Sequence, residues 1–526
     1  MTDSAAFPPE APGSPIPVEN DDASLRSRIG NVAAASTVAL VAGQLISVGQ
    51  TVALARLLSP KEVGYFAAGS VVTSFISNFV EGGLRAGLIH REDRLEDAAE
   101  TVFRATLLIG LVMSLLALAS APLISVIFNS HTAGIVAASM SGGILLFSLT
   151  NVPEALLQRE FSVRRRLIVG PAVAISFAAV SVTLAVLGFG VWSLVIGTYA
   201  SSLVWVLTLW WICDWRPGRG HADLPMYRDM VGFGLPLAIS FFADQAVKTV
   251  QAVVIGRFLS VDSLGLFRYG DRIAHIPAGA IIEVGANSLF PAYSRISADA
   301  ERFRRAFLHA LGLLVVASGA ISGLLVATGI PLVVVLLGPE WRGAGVVLVT
   351  MAGIGVGTAI GTSAEAIKGA GRTTLINYIT VIQTVSGIGL VVVMGRLWGL
   401  VGVGLSISIT ALIVSATLLT MARSIVGLAW SQVGRTIVPP LVAATITTVA
   451  ITFLEHDAFR SPEHGVALGC LLLIADGLLF LALYATLLRL IAPASYLLMH
   501  DLVVSVVSTG RDRLRTRRTD RQRRDA

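Results

Sequence analysis

Charged side chains stand inside two consecutive stretches that are otherwise apolar enough to cross a membrane. Asp244 and Lys248 lie in the first, and Arg268, Asp271, Arg272 and His275 in the second. Residues four apart share a helix face, as Asp244 and Lys248, Arg268 and Arg272, and Asp271 and His275 do. A charge at the bilayer centre costs about 2.5–3.5 kcal/mol on insertion scales, so such groups face partners or water and not lipid. Lys248 stands about ten residues from the end of its stretch and Arg272 about eight from the start of the next. At 1.5 Å per residue both lie about 12–15 Å deep, as neighbours across an antiparallel helix pair. The expectation is a hydrated cavity, cationic on balance, with Lys248, Arg268, Asp271, Arg272 and Asp244 in its wall. Three chemistries fit these residues: ion pairs that lock two helices together, recognition of an anion such as a diphosphate by forked guanidinium groups, and proton or sodium coupling through Asp244 or Asp271. His275 reads as a satisfied helix residue.

A milder polar stripe precedes them. Ser70, Ser74, Ser77 and Asn78, with Thr73 and Glu81, share a broad helix face. Hydroxyls so placed can meet sugar hydroxyls through a water-filled space, or hold helices together. Gln44, Gln50, Gln245 and Gln251 carry the same two readings. Glu365, beside Lys368, lines an inner gate or marks the membrane interface. Asp476, alone in the last apolar stretch, is expected to face a groove or a partner helix.

The elements that must hold these residues follow from composition. Hydrophobic residues make up 54% of the 526 and charged residues 14%, with a mean hydropathy of +0.77; soluble domains carry about 25% charged residues. The chain therefore reads as an all-α polytopic membrane protein, and the lack of regular polar–apolar alternation argues against a β-barrel. About fourteen spans are expected between residues 32 and 491, with tight turns at Gly188–Gly190 and Trp398–Gly399. With both termini cytoplasmic, about 30 of the 39 Lys and Arg fall in inner loops or tails. The expected organisation is a disordered Pro-rich N-terminus (1–30), a first lobe of six helices (31–228), a second of six (229–423), two further helices (424–495) and a basic tail (496–526).

Two six-helix lobes are expected because the sequence repeats itself. ARLLSPKEVGYF, Ala55 to Phe66, recurs 201 residues later as GRFLSVDSLGLF, Gly256 to Phe267. The same offset pairs Gln44 with Gln245, Gln50 with Gln251, Arg94 with Arg295, Glu100 with Glu301 and Arg104 with Arg305. A fixed offset marks a duplicated structural unit. Differences between the copies mark specialisation: Asp244, Lys248, Arg268, Asp271, Arg272 and His275 stand where the first copy has Gly43, Ser47, Ala67, Ser70, Val71 and Ser74. Two related bundles around a midplane site are the arrangement of many secondary transporters. No Gly-Lys-Ser/Thr phosphate loop and no long outer loop for a catalytic domain are present, so no enzyme, cofactor or metal is expected. Cys213 and Cys470 have no paired spacing.

ARLLSPKEVGYF, EGGLRAGLIHRED, VPEALLQREFSVRRR, GFGVWSLVIG, VVIGRFLSVDSLGLFRYGDRIAHIP, LFPAYSRI and LLGPEWRGAG together resemble the Wzx-like oligosaccharide flippases of the multidrug/oligosaccharidyl-lipid/polysaccharide exporter superfamily, over about residues 35–375. The resemblance implies alternating access in the bacterial inner membrane and export of a polyprenyl-diphosphate-linked oligosaccharide, with polysaccharide polymerase and glycosyltransferases as functional partners and no nucleic acid. It places the diphosphate and sugars in the cationic cavity. Where many relatives carry Asp before the IGR element this chain has Gln251, which puts ion coupling at that position in doubt. A multidrug cation extruder of the same fold is the competing expectation, and a membrane glycosyltransferase or polymerase a further one.

Overall fold

In a computed structural model, residues 43, 46–81, 83–160, 165–284, 288–372 and 374–497 are described. Among them every regular element is a helix, as hydrocarbon requires of a chain that must satisfy its own backbone. The first lobe comprises α1 (46–57), α2 (Pro60–Glu81), α3 (Leu84–His90), α4 (Leu95–Ala119), α5 (Ala121–Ile127), α6 (His131–Met140), α7 (Gly143–Arg159), α8 (Gly170–Val186) and α9 (Val191–Ile212). The second comprises α10 (Leu224–Phe258), α11 (Val261–Val284), α12 (Phe290–Ile296), α13 (Ala300–Leu337), α14 (Arg342–Thr350), α15 (Gly353–Gly361), α16 (Ser363–Gly369) and α17 (Thr374–Val426). Helices α18 (Trp430–Leu454) and α19 (Val466–Ile491) pack against α13. Nine of the described helical stretches are long and apolar enough to cross a membrane on those grounds alone. Helices α2, α10 and α11 are not among them, and they carry the polar stripe and the charged pairs. Leu108, Leu115, Trp211 and Leu478 stand on the outside of the bundle, where lipid takes the place of a partner.

The repeated motif is a helix stop and restart. After α1, Ser59 accepts the Glu62 N–H at 3.3 Å while Glu62 accepts the Ser59 N–H at 2.8 Å, a capping box with Pro60 as the first helical residue. In the second copy the Ser260 hydroxyl accepts the Ser263 N–H at 3.0 Å. Both expected glycine turns are present: Gly188 and Gly190 have φ of 80° and 54°, and Gly399, at φ 58°, divides α17 into two spans. Only glycine adopts such angles without strain.

Three features were not anticipated. The fourth span breaks at Ser141–Gly142 into α6 and α7, and the tenth breaks at Met351–Ala352 and again at Thr362 into α14, α15 and α16. Both first breaks are tied to a neighbouring helix by a serine, Ser114 Oγ donating to the Ser141 carbonyl at 2.8 Å and Ser408 Oγ to the Thr350 carbonyl at 2.7 Å. Each lobe also carries a short helix after its second span, α3 and α12.

Candidate functional site

Between the lobes lies a cavity of about 740 Å³. Helix α10 contributes Asp244, Gln245, Lys248 and Gln251 to its wall, α11 contributes Arg268, Asp271 and His275, and α2 contributes Ser70 and Ser74. Thr358, Thr362 and Glu365 come from α15, α16 and the turn between them, and Gln383, Ser406, Thr410 and Ser415 from the two halves of α17. Helices α10 and α11 reach it because their polar residues have nowhere else to go: faces bearing five ionisable side chains turn toward the cavity and not toward lipid.

Within the wall, charges are mostly engaged along their own helices. Lys248 Nζ lies 2.7 Å from Asp244 Oδ2, Asp271 Oδ1 is 3.2 Å from His275 Nδ1, and Lys368 Nζ donates to Glu365 Oε1 at 2.8 Å. Arg272 is not part of the wall; its Nη2 donates to the Ser47 hydroxyl of α1 at 2.7 Å, bridging the lobes. Lys248 and Arg272 are therefore turned to different partners, not to each other. The expected count of three cations against two acids becomes two, Lys248 and Arg268, against three, Asp244, Asp271 and Glu365. The count changes because Arg272 turns to α1 and Glu365 joins the wall from α16. Among the described residues Arg268 has neither ion pair nor hydrogen bond, and its side chain is exposed to the cavity.

The stripe on α2 divides between two spaces. Ser74 borders the main cavity and also a smaller one of about 180 Å³ within the first lobe, which Ser77 borders with Thr73, Tyr199, Ser202 and Trp205. Ser70 and Ser77 donate to carbonyls of their own helix, Ala67 at 2.9 Å and Thr73 at 2.8 Å. Gln50 is buried on α1 away from the wall. Gln44 and the Asn78 side chain, like residues 1–42 and 498–526, lie outside the described residues. Sequence reasoning offered Glu365 of α16 as a gate residue, and it lies in the wall, but missed the rest of the α15–α17 side. Thr358, Thr362, Thr410 and Ser415 are single hydroxyls in apolar helices and carry no pattern, whereas Gln383, an amide in mid-span, was a readable signal.

At the arginine-poor end the lobes meet through the repeated motif itself. Gly64 lies against the Val261 carbonyl and Gly265 against the Pro60 carbonyl, leaving no room for a Cβ at either glycine. The repeat-mates Arg56 and Arg257 each cross to the other lobe. Arg56 Nε donates to the Leu336 carbonyl at 2.8 Å and Nη2 to that of Val335 at 2.5 Å, and Arg257 Nη1 donates to Asn129 Oδ1 at 2.7 Å. Trp341 Nε1 adds a bond to the Ala55 carbonyl at 2.8 Å. Below this seam Leu54, Ala55, Leu58, Phe128, Ile255, Leu264, Phe267 and Trp341 form one core shared by both lobes. At the opposite end α10 leans on the first lobe, with Gly83 and Gly234 in backbone contact and His90 stacked on Phe233 at 4.7 Å.

A family model described as "Polysaccharide biosynthesis protein" matches residues 53–346, which covers both copies of the repeated motif and, of the helices that line the cavity, α2, α10 and α11. The chain belongs to this family. Relatives include the succinoglycan biosynthesis transport protein ExoT of Rhizobium meliloti (strain 1021), 27% identical over 64% of this chain and 68% of that protein. The lipopolysaccharide biosynthesis protein WzxC of Escherichia coli (strain K12) is 22% identical over 74% of this chain and 80% of its own length. In fold the family member is similar to the lipid II flippase MurJ in an inward closed conformation, with a TM-score of 0.69, 17% identity, and 86% of this chain and 98% of that one covered. An inward-facing multidrug transporter of the MATE family within the MOP superfamily follows at a TM-score of 0.61 and 17% identity, covering 73% of this chain and 94% of that one. The chain is thus an all-α, multi-pass membrane protein of a polysaccharide biosynthesis family, built as two pseudo-symmetric six-helix lobes with two further helices.

Proposed function

We propose that this protein is a flippase that carries a polyprenyl-diphosphate-linked oligosaccharide from the cytoplasmic to the outer leaflet of a bacterial inner membrane. The observation that carries the reading is Arg268, which among the described residues has no partner, on a wall whose other charges are paired and whose remaining polar groups are amides and hydroxyls. A fork of guanidinium donors suits a diphosphate. Gln245, Gln251, Gln383, Thr358 and Thr362 offer the donors and acceptors that sugar hydroxyls require, and the apolar tail stays in lipid. The names of the relatives agree, one being a transport protein of succinoglycan biosynthesis. With the arginine-rich end cytoplasmic, the seam at Gly64 and Gly265 closes the outer side, and alternating access consists of opening it while the inner end shuts. Proton or sodium coupling would fall to Asp244 or Asp271.

Three carboxylates on the wall give the drug-cation reading a specific footing, yet each already faces Lys248, His275 or Lys368. Deletion of the gene followed by analysis of lipid-linked intermediates separates the two. Accumulation of polyprenyl-diphosphate glycans on the cytoplasmic leaflet supports flipping; normal surface glycans together with drug hypersensitivity overturn it.

A further inference from the structure

Asp476 of α19 is fully buried, at 0% exposure, and neither of its carboxylate oxygens meets a hydrogen-bond donor. Its carboxyl lies within hydrogen-bonding range of that of Glu455. Glu455 is itself 4% exposed and opens a π-helical turn, Glu455–Phe459, at the end of α18; such turns recur where a helix is distorted for a purpose. Both Glu455 oxygens are already supplied, Oε1 by the Ser461 N–H at 2.9 Å and Oε2 by the Ser461 hydroxyl at 2.8 Å. Glu455 is thus an anchored acceptor, and Asp476 brings a second, unpartnered acceptor beside it.

Two ionised carboxylates in contact and out of water repel without compensation, and such pairs hold a proton in common. Among the described residues no titratable group other than Glu455 acts on Asp476. His456, Asp457, Arg460, Glu463 and His464 on the α18–α19 connection are exposed, with Arg460 engaged by Glu463 at 4.0 Å. The charged residues of α13 are confined to its first turns, Glu301 to Arg305, and α19 has no second charge before Arg489. A metal cation would need more oxygens than remain, and no group of three His, Cys, Asp or Glu gathers among the described residues.

We propose that Asp476 and Glu455 bind one proton between them, Asp476 as its carrier and Glu455 as the anchored acceptor, forming a proton site in the peripheral helix pair and apart from the central cavity. The bound proton supplies the missing donor and joins α19 to the end of α18; its loss sets two charges against each other inside the α13–α18–α19 packing.

The test is the thermal unfolding midpoint of the purified full-length protein in detergent across acid to mildly alkaline pH. A proton shared by the two carboxyls in the folded state and released on unfolding makes wild-type stability fall as pH rises. Asp476→Asn places an amide N–H where the acid O–H stood and is expected to flatten that slope. Glu455→Gln removes the like charge and carries the same test should the first variant not fold. Infrared difference spectra should show a carboxylic acid C=O band in wild type at neutral pH that Asp476→Asn lacks. Equal slopes in wild type and both variants overturn the proposal. So does a midpoint that rises with sodium at fixed pH in wild type alone, which assigns the site to a metal cation.

Discussion

At the scale of single residues, the second copy of the repeat carries the intramembrane charge, and its three cations and two acids do different things. Lys248 and Asp244 neutralise each other across one turn of α10. Arg272 spends its guanidinium on Ser47, so its removal loosens the lobes and leaves the cavity wall intact. Among the described charges of the wall, Arg268 alone has no protein partner. A hydrogen bond to a charged group contributes about 1.5–3 kcal/mol, so Arg268→Ala should weaken substrate binding by about 10- to 100-fold and abolish export, with protein still inserted in the membrane. Arg268→Lys keeps the charge without the fork and should restore only part of it. The readout is lipid-linked glycan in each leaflet, and wild-type export by the alanine variant would remove the diphosphate from this site. Which charges were intramembrane was legible in the sequence, because an apolar stretch makes each one conspicuous. Which of them were spent on each other was not, since a spacing of four permits Arg268–Arg272 and Asp271–His275 contacts alike and only packing decides that Arg272 turns to α1.

At the scale of elements, helix α2 and its mate α11 were readable as related, and the capping residues Ser59, Glu62 and Ser260 show why the motif survives in both. The broken spans α6–α7 and α14–α16 were not readable as breaks. Their average hydropathy is that of continuous helices, and the kinks are held by Ser114 and Ser408 from elsewhere in the chain. Corresponding interruptions in two halves mark helices that bend around a transported ligand. Gly64 and Gly265 make the sharpest element-level prediction. Gly64→Val or Gly265→Val puts a side chain where the opposite carbonyl now stands, so α2 and α11 must part. In a background lacking Cys213 and Cys470, a Thr362→Cys probe in the cavity should then react with a membrane-impermeant thiol reagent several-fold faster from the outer side. Unchanged labelling would mean that the seam is not the barrier.

At the scale of the whole molecule, the arginine pair makes the closure two-sided. Arg56 reaches the last carbonyls of α13, and Arg257 reaches Asn129 just beyond α5, so each lobe is fastened by a side chain of the other. Replacing either arginine by alanine should raise outer labelling of the Thr362→Cys probe modestly, and replacing both should raise it by about the product of the two, because the bonds lie at separate places on one interface. A double variant no different from the singles would show that one of them carries the closure alone. The repeat in the sequence announced two alike units, but an offset of 201 residues says nothing of how the units face each other; that came from backbone contact. The contact is reciprocal: Pro60 meets Gly265 as Val261, the mate of Pro60, meets Gly64, the mate of Gly265. Reciprocity of this kind is what a two-fold axis imposes on a homodimer. Joining two identical copies across such an axis yields this arrangement, in which a side chain added at either glycine must be met by movement of the opposite helix.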